Sequence, residues 1–166
     1  MTDETAKGLR DYLLPQLENE FAITRKVLAA VPADRCDYRP SEKCMSGLEL
    51  AAHITLADAF FLRGVINAGF EWKQLELKTP AEVLAYYDET VPPLLAQLAN
   101  FPGEKLVQDI AFAKWNQPAV TYLSLDMSHG IHHRGQLSSY LRPMGAKVPS
   151  IYGPSADEAL QAASGN

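Results

Sequence analysis

The chain has 166 residues, of which 47% are hydrophobic and 21% are charged, and its formal net charge is −5. These values favour one globular domain over residues 1–166 with its own hydrophobic core, and they exclude a strongly basic protein that binds nucleic acid through its phosphates. The polar, acidic N-terminus is not a signal peptide and no apolar stretch is long enough to span a membrane, so we expect a cytoplasmic protein with no membrane partner.

The first two predicted elements are long helices, because apolar residues recur at three- and four-residue steps. The first helix covers about residues 3 to 30. The second begins after Ser46 in a capping box, where the Ser46 hydroxyl and the Glu49 carboxylate each accept a backbone amide hydrogen from the other residue. It continues to about Ala68, where Gly69 is expected to end it.

A third helix is predicted from the pair Thr79-Pro80 towards Leu98. Threonine is a good N-cap, and proline fits the first helical position because no helical hydrogen bond is lost there. Pro92 and Pro93 lie inside the same pattern, where proline removes a helical hydrogen bond and crowds the preceding turn. We therefore expect a kink or a break at these two residues.

Residues 101–118 connect the third helix to a fourth at about residues 119 to 141, and they combine turn-forming prolines and glycine with the extended run LVQDIAF. We expect a long link with a short strand, and we expect Trp115 and Tyr122 to lie in the core, with lining of the cavity as the alternative. The tail is expected to be a loop, with a last helical turn after Ser155. Four amphipathic helices with so little strand pattern predict an all-α four-helix bundle, with a long link between helices three and four.

All four histidines lie in the predicted helices two and four. His129 and His133 are four positions apart, so their side chains point the same way from successive turns and can approach one ion. His132 lies about 100° round the helix from His133 and is expected to be a bystander. Catalytic zinc sites usually have three protein ligands, and His53, in the middle of helix two, is the candidate for the third.

The same histidines also fit simpler interpretations. An inward-facing histidine such as His53 is more often a hydrogen-bonded core residue than a metal ligand. Pairs such as His129 and His133 are also common on helix surfaces. Residue spacing alone therefore does not decide between a metal site and these simpler interpretations.

The stretch HGIHHRGQLSSYLRPMG (residues 129–145), followed by VPSIYG (residues 148–153), resembles the last helix and tail of the DinB-like (damage-inducible) family. That family includes the YfiT-like group, and its members are regarded as metal-dependent enzymes. The resemblance implies a bundle that holds a divalent ion near one end through three histidines, at the positions of His53, His129 and His133. It also implies a homodimer with a small-molecule substrate. Related enzymes are S-transferases and isomerases that use a low-molecular-weight thiol, or hydrolases.

Four more residues are candidates for the pocket or for hydrogen bonds to the ligands: Glu49, Asp126, Arg134 and Gln136. Glu49 and Asp126 each lie about one turn before a predicted ligand and can accept an imidazole N–H, although a solvated surface position is equally consistent. Arg134 can instead pair with an acid or with carbonyls near the helix end. Gln136 can line the pocket or bond to a neighbouring helix.

Three neutral imidazoles leave a divalent ion its full positive charge, which lowers the pKa of a water or thiol that it binds. The sequence therefore favours a thiol S-transferase-like or hydrolase-like enzyme, and thiol transfer is preferred because no carboxylate is clearly placed as a general base. The alternatives are a metal-binding stress-response or interaction module without catalysis, and a bundle without metal. Zinc, nickel and iron are not distinguished. Relatives often have a tryptophan where this chain has Cys44-Met45, so the substrate and the catalytic residues are left open.

Overall fold

A computed structural model describes residues 1–158, most of which lie in four long helices. In chain order the elements are α1 (Asp3–Ala29), α2 (Gly47–Asn67), α3 (Pro80–Ala99), the short α4 (Gly103–Leu106), β1 (Asp109–Phe112), β2 (Trp115–Pro118) and α5 (Thr121–Leu141). Helix α2 packs against α3 and α5, and α1 packs against the same two helices. The prediction of an all-α four-helix bundle, with a long link between its third and fourth long helices, is confirmed.

The inward faces of the four long helices form one hydrophobic core, because each helix repeats apolar residues at helical spacing. The best-buried apolar side chains come from all four helices: Leu17, Leu28, Leu50, Ile54, Leu62, Leu98, Leu123, Leu137 and Leu141. Burying one such side chain contributes about 1.5–3 kcal/mol relative to leaving it exposed. This packing fixes the position of α2 against α5, the two helices that carry the histidines.

Helix α2 begins as its sequence predicts and ends one residue earlier than expected. The Glu49 amide donates to the Ser46 hydroxyl over 3.2 Å and the Ser46 amide donates to the Glu49 carboxylate over 2.8 Å, which confirms the capping box. At the other end Ala68, and not Gly69, takes the left-handed conformation, with a φ of 52°. That conformation lets the Gly69 amide reach the Gly64 carbonyl over 3.0 Å, which closes the helix.

Helix α3 begins as predicted, with Thr79 Oγ1 accepting the Glu82 amide hydrogen over 3.1 Å. The break considered at Pro92 and Pro93 does not occur, because α3 runs through both residues. Both prolines are exposed, and so are the residues one turn before them. The carbonyls that lose their amide partners therefore lie on the solvent side of the helix, where water can bond to them.

The link folds into α4 and an antiparallel hairpin in which Phe112 pairs with Trp115. The expected short strand is confirmed, since β1 lies within the extended run, and it pairs with a second strand. Trp115 is 44% exposed, so its predicted core position is wrong; β2 leaves almost its whole length open to solvent. Tyr122 is buried as predicted and donates its hydroxyl hydrogen to the Ile110 carbonyl over 2.7 Å.

The tail after α5 is mostly irregular. Asp157 Oδ2 accepts the Val148 amide hydrogen over 2.9 Å and lies 3.1 Å from Arg142 Nε, so the tail is tied to the end of α5. Residues 156–158 are helical, and the rest of the helical turn predicted after Ser155 lies outside the described residues. None of the described helices combines the length and the apolar character that a membrane span needs.

Candidate metal centre

Three histidine side chains meet where α2 packs on α5. His53 comes from α2, and His129 and His133 come from successive turns of α5. The His53 Nε2 atom lies 3.2 Å from His129 Nε2 and 3.3 Å from His133 Nε2, and one candidate ligand atom from each of the three lies within 4.8 Å of the others. The three residues singled out from the sequence are therefore brought together, and each is half-buried.

The spacing of these nitrogens fits one divalent ion. Zinc–imidazole bonds of about 2.0–2.1 Å in a tetrahedral arrangement place neighbouring ligand nitrogens about 3.3 Å apart. The two separations from His53 Nε2 are close to that value. Three nitrogens can thus hold an ion and leave it an open position, although imidazoles do not select among zinc, nickel and iron.

Burial favours the neutral form of two of these imidazoles, which is the form that binds a metal ion. Desolvation, followed by the nearby His133, lowers the pKa of His53. Desolvation, followed by the neighbouring histidines, lowers the pKa of His129 to about 4. A lowered pKa reduces competition from protons, so both residues are available as ligands at neutral pH.

Gln136 contacts one of the candidate ligands directly. Its Oε1 accepts the Nδ1 hydrogen of His133 over 3.1 Å, and this tautomer leaves the His133 Nε2 lone pair facing the other histidines. The Gln136 amide nitrogen donates to the Tyr140 hydroxyl over 3.5 Å, which supports this orientation of the amide. Gln136 is therefore placed to fix the tautomer and the ring orientation of His133.

We expect Gln136→Leu to weaken metal binding by about 10–100-fold, the usual effect of removing a hydrogen-bond partner from a metal-binding histidine. Leucine is similar in size but cannot accept the Nδ1 hydrogen. Gln136→Glu is the matched control, because its carboxylate still accepts that hydrogen. Competition against a chromophoric chelator measures all three affinities. Equal affinities for the leucine variant and the wild type would show that Gln136 does not orient His133.

One of the two roles expected for Asp126 was to accept a hydrogen bond from His129. The structure does not form this bond. The Nδ1 atom of His129 and both carboxylate oxygens of Asp126 are buried without a hydrogen-bond partner. Asp126 is completely buried, and its carboxyl interacts with that of Asp58 on α2. Its side chain points into the interface of α5 with α2, which also rules out the solvated alternative. Asp58 was not singled out from the sequence, because one acid in an apolar helical run carries no distinctive spacing.

Glu49 and His132 lie beside the site without joining the three ligands. Glu49 is exposed, accepts a hydrogen bond from Arg39 Nη2 over 2.7 Å, and caps α2. It also lines a groove of ≈ 520 Å³ to which His53 contributes. His132 is exposed, and its ring lies 4.8 Å from the His133 ring between centroids. Glu49 is thus near the pocket and has no contact with a ligand nitrogen, while His132 is placed as a bystander.

Arg134 is buried and is directed at α1, away from the histidines. Its guanidinium lies 2.6 Å from Glu20 Oε2 and donates to the hydroxyls of Thr24 over 3.3 Å and Tyr152 over 2.6 Å. The Tyr152 hydroxyl in turn donates to the Glu20 carboxylate over 2.8 Å. Of the interpretations left open for Arg134, the pairing with an acid is observed, and Nη1 also donates to the Glu20 carbonyl of α1 over 3.0 Å. These bonds tie α5 to α1 and to the tail.

We expect Arg134→Lys to lower the free energy of unfolding by about 1–2 kcal/mol and to leave metal stoichiometry unchanged. A lysine keeps the charge opposite Glu20, but its single ammonium group cannot bond to all three partners at once. Urea unfolding and elemental analysis measure the two quantities. Arg142→Lys, at an exposed position, is the control and should stay within about 0.5 kcal/mol. Loss of metal without loss of stability would contradict the structural role.

The sequence resembles a known family along its length. The DinB family model matches residues 1–163. YjoA of Bacillus subtilis strain 168 is 35% identical over 131 residues, which cover 74% of this chain and 82% of YjoA. YrdA of the same strain is 24% identical over 152 residues, which cover 89% of this chain and 90% of YrdA.

Two crystal structures of DinB-like proteins have the same fold. The structure of YjoA from Bacillus subtilis superposes with a TM-score of 0.71 at 25% identity, covering 84% of this chain and 97% of that one. A DinB-like protein from Bacillus cereus ATCC 10987 superposes with a TM-score of 0.73 at 22% identity, covering 84% of this chain and 95% of that one. With the family match over residues 1–163, these likenesses show that the chain belongs to the DinB family.

Proposed function

We propose that the protein is a divalent-metal-dependent enzyme whose metal ligands are His53, His129 and His133. The observation that carries the proposal is that His53 Nε2 lies 3.2 Å from His129 Nε2 and 3.3 Å from His133 Nε2, separations that suit one ion, beside a groove that reaches His53. Structural zinc is usually enclosed by four protein ligands, often cysteines, whereas the described residues offer three histidines here. An ion with an open position is what substrate binding requires, so this donor set favours catalysis over a structural role.

The residues around the site set the conditions for that chemistry. A divalent ion held there would act as a Lewis acid and lower the pKa of a water or thiol bound to it. Burial keeps His53 and His129 neutral, and Gln136 holds His133 in the ligand tautomer. The Phe61 ring packs edge-on against the His129 ring, with 5.8 Å between centroids, and shields that side of the site from water.

We favour thiol S-transfer over hydrolysis because the groove beside His53 offers no free carboxylate among the described residues. Hydrogen bonds from Arg39 and from the Ser46 amide lower the pKa of Glu49, which makes it a weak base. Glu76 lies 3.5 Å from the Lys78 ammonium. An ionised thiol attacks an electrophile without a base, whereas hydrolysis gains from one. The proposed reactants are therefore a low-molecular-weight thiol and a small-molecule electrophile.

The test is turnover by metal-loaded protein purified without a histidine tag. Protein loaded separately with zinc, nickel or iron is incubated with thiols and a chromogenic electrophile, alongside a panel of esters. We expect thiol-dependent turnover that His133→Ala removes and that His132→Ala retains. Ester turnover without thiol would support a hydrolase instead. Tight metal binding with no turnover in either assay would support a metal-binding module without catalysis.

A further inference from the structure

A groove runs along α2, starting at the histidines. Its first part, of ≈ 520 Å³, is lined by His53, Leu56 and Trp72 among other residues. A neck of ≈ 20 Å³ shares Leu56 and Trp72 with that part and also contacts Arg63. The last part, of ≈ 360 Å³, shares Arg63 with the neck. These shared lining residues place the three parts in a row along α2, beside residues 69–78.

The length of this path follows from helix geometry. His53 and Arg63 are ten positions apart on α2. At the rise of an α-helix, the two ends of the groove are about 15 Å apart. That distance exceeds the length of a compact small molecule and suits an elongated one.

The end of the groove beside His53 has apolar walls and paired charges. Its apolar lining comes from Leu48, Ala52, Leu56, Trp72, Leu75 and Leu77. The charged groups at its rim are already matched, since Arg39 Nη2 lies 2.7 Å from the Glu49 carboxylate and Lys78 Nζ lies 3.5 Å from the Glu76 carboxylate. In the metal-free protein, a ligand segment next to the histidines would therefore bury apolar surface and meet no unpaired charge.

The other end of the groove carries unpaired positive charge. Arg63 is half-buried, donates to the Tyr86 hydroxyl over 2.9 Å, and forms no ion pair with a described residue. Lys73 lines the same end, and Glu71 is the acid there. Arg63 and Lys73 set against Glu71 leave one net positive charge. A guanidinium next to apolar walls is well suited to bind one carboxylate.

We infer that this groove binds an elongated small molecule with an apolar middle and a terminal carboxylate, which lies at Arg63 while the other end reaches the histidines. The inference rests on the proposed function only in calling this molecule the electrophilic substrate. The contacts that recognise it belong to the protein and do not require the metal. The inferred ligand therefore specifies a substrate class, whereas the three histidines alone do not.

Trp72 provides a readout of binding that does not depend on activity. It is 59% exposed and packs on Phe60, with 5.6 Å between ring centroids, so a ligand in the groove changes its surroundings. The chain has two tryptophans, and Trp115→Phe leaves Trp72 as the single reporter. Straight-chain carboxylates and alcohols of increasing length are titrated into this variant, below their micelle concentrations, with and without metal.

We expect a saturable fluorescence change, with affinity rising about two- to fourfold per methylene group until the chain spans the groove. In the metal-free protein, a carboxylate should bind about three- to tenfold more tightly than the alcohol of equal length. Arg63→Gln, which can still donate to the Tyr86 hydroxyl, should remove that preference. Lys73→Gln, at an exposed position, should reduce the carboxylate preference. Arg25→Gln, on α1 and paired with Asp88 outside the groove, should not change it.

Affinity that is independent of chain length, or equal for carboxylate and alcohol, would overturn the inference. So would a carboxylate preference that survives in the Arg63→Gln variant. Elemental analysis of the same samples separates this result from the proposed function. Failure to bind metal with intact carboxylate binding would contradict the enzyme and not the groove, and the opposite result would contradict the groove and not the metal site.

Discussion

Replacing His53 with alanine is expected to remove tight metal binding while the bundle stays folded. His53 is the one candidate ligand that α2 supplies, and its Nε2 atom lies within 3.3 Å of the Nε2 atoms of both other histidines. Without it, His129 and His133 offer an ion two nitrogens from a single helix. We expect the affinity to fall by more than about 100-fold, which exceeds the effect of losing a partner such as Gln136.

Elemental analysis after equilibration with a competing chelator measures the loss. His132→Ala is the matched control, because it removes an imidazole of the same helix that lies outside the cluster. A ligand present at 100 times its dissociation constant stabilises the folded state by about 2.7 kcal/mol. Metal should therefore raise the Tm of the wild type and of His132→Ala by about 5–10 °C, and that of His53→Ala by much less. Equal metal content in all three proteins would exclude the three-histidine site.

The helices and their caps were predictable because the forces that set them are local. The capping box at Ser46 and Glu49 and the threonine cap at Thr79 involve residues within one turn, and the structure forms both. The apolar period of each helix likewise needs no knowledge of its partners. Of the kink or break expected at Pro92 and Pro93, the break does not form, and this outcome depends on which side of α3 faces solvent. That is a property of the packed bundle.

The metal centre was predictable in part for the same reason. Helical geometry places His129 and His133 together, whereas bringing in His53 requires α2 to pack on α5 in the right register. The sequence spacing left His53 open, and the family resemblance supplied it. The exposed hairpin position of Trp115 could not be predicted from composition, since it depends on how little of β2 the bundle covers.

The pairing of Asp58 with Asp126 could not be predicted from the sequence either, and it places two carboxyls against each other in the core. Both residues are completely buried, and none of their four carboxylate oxygens has a hydrogen-bond partner. The carboxyls come from facing helices and interact with each other, so a proton on one of them can supply the missing hydrogen bond. Tyr87, which donates to the Phe21 carbonyl over 3.3 Å, and Arg134 are the other ionisable groups that act on Asp58.

Protonation of this pair makes stability depend on pH. Burial raises the pKa of Asp58 to about 8, against the opposing effects of Tyr87, Asp126 and Arg134. Burial, followed by the charge of Asp58, raises the pKa of Asp126 well above its usual range. The unfolded chain ionises both carboxyls near pH 4. Between about pH 4 and pH 8 this pair therefore binds more protons in the folded protein than in the unfolded one, and its contribution to the free energy of unfolding falls as pH rises. Below about pH 6.5 the lowered pKa values of His53 and His129 act in the opposite direction.

Asp58→Asn is expected to raise the free energy of unfolding by about 2–4 kcal/mol at pH 8, with a smaller gain at pH 5. The amide has the shape of the carboxylate, needs no proton to stay neutral, and can donate a hydrogen bond to Asp126. Urea unfolding at several pH values between 5 and 8 measures the change, with chelator present so that metal binding does not contribute. The gain of the variant over the wild type should increase from pH 5 to pH 8, because the histidines contribute equally to both proteins. The wild-type free energy itself should decline between pH 7 and pH 8, where the histidines are neutral in the folded and the unfolded state.

Two further variants separate the buried pair from a general effect of removing acid. Asp126→Asn should also stabilise the protein at pH 8, and the double variant should gain less than the sum of the two, because one neutral partner already relieves the repulsion. Asp88→Asn removes an exposed acid that is paired with Arg25, so it should change stability by less than about 1 kcal/mol in the same pH range. An Asp58→Asn gain that is equal at pH 5 and at pH 8 would show that both carboxyls are ionised in the folded core. In that case Arg134 would be the cation for two buried carboxylates while it is already paired with Glu20. The buried negative charges would then exceed the positive charge available to pair with them.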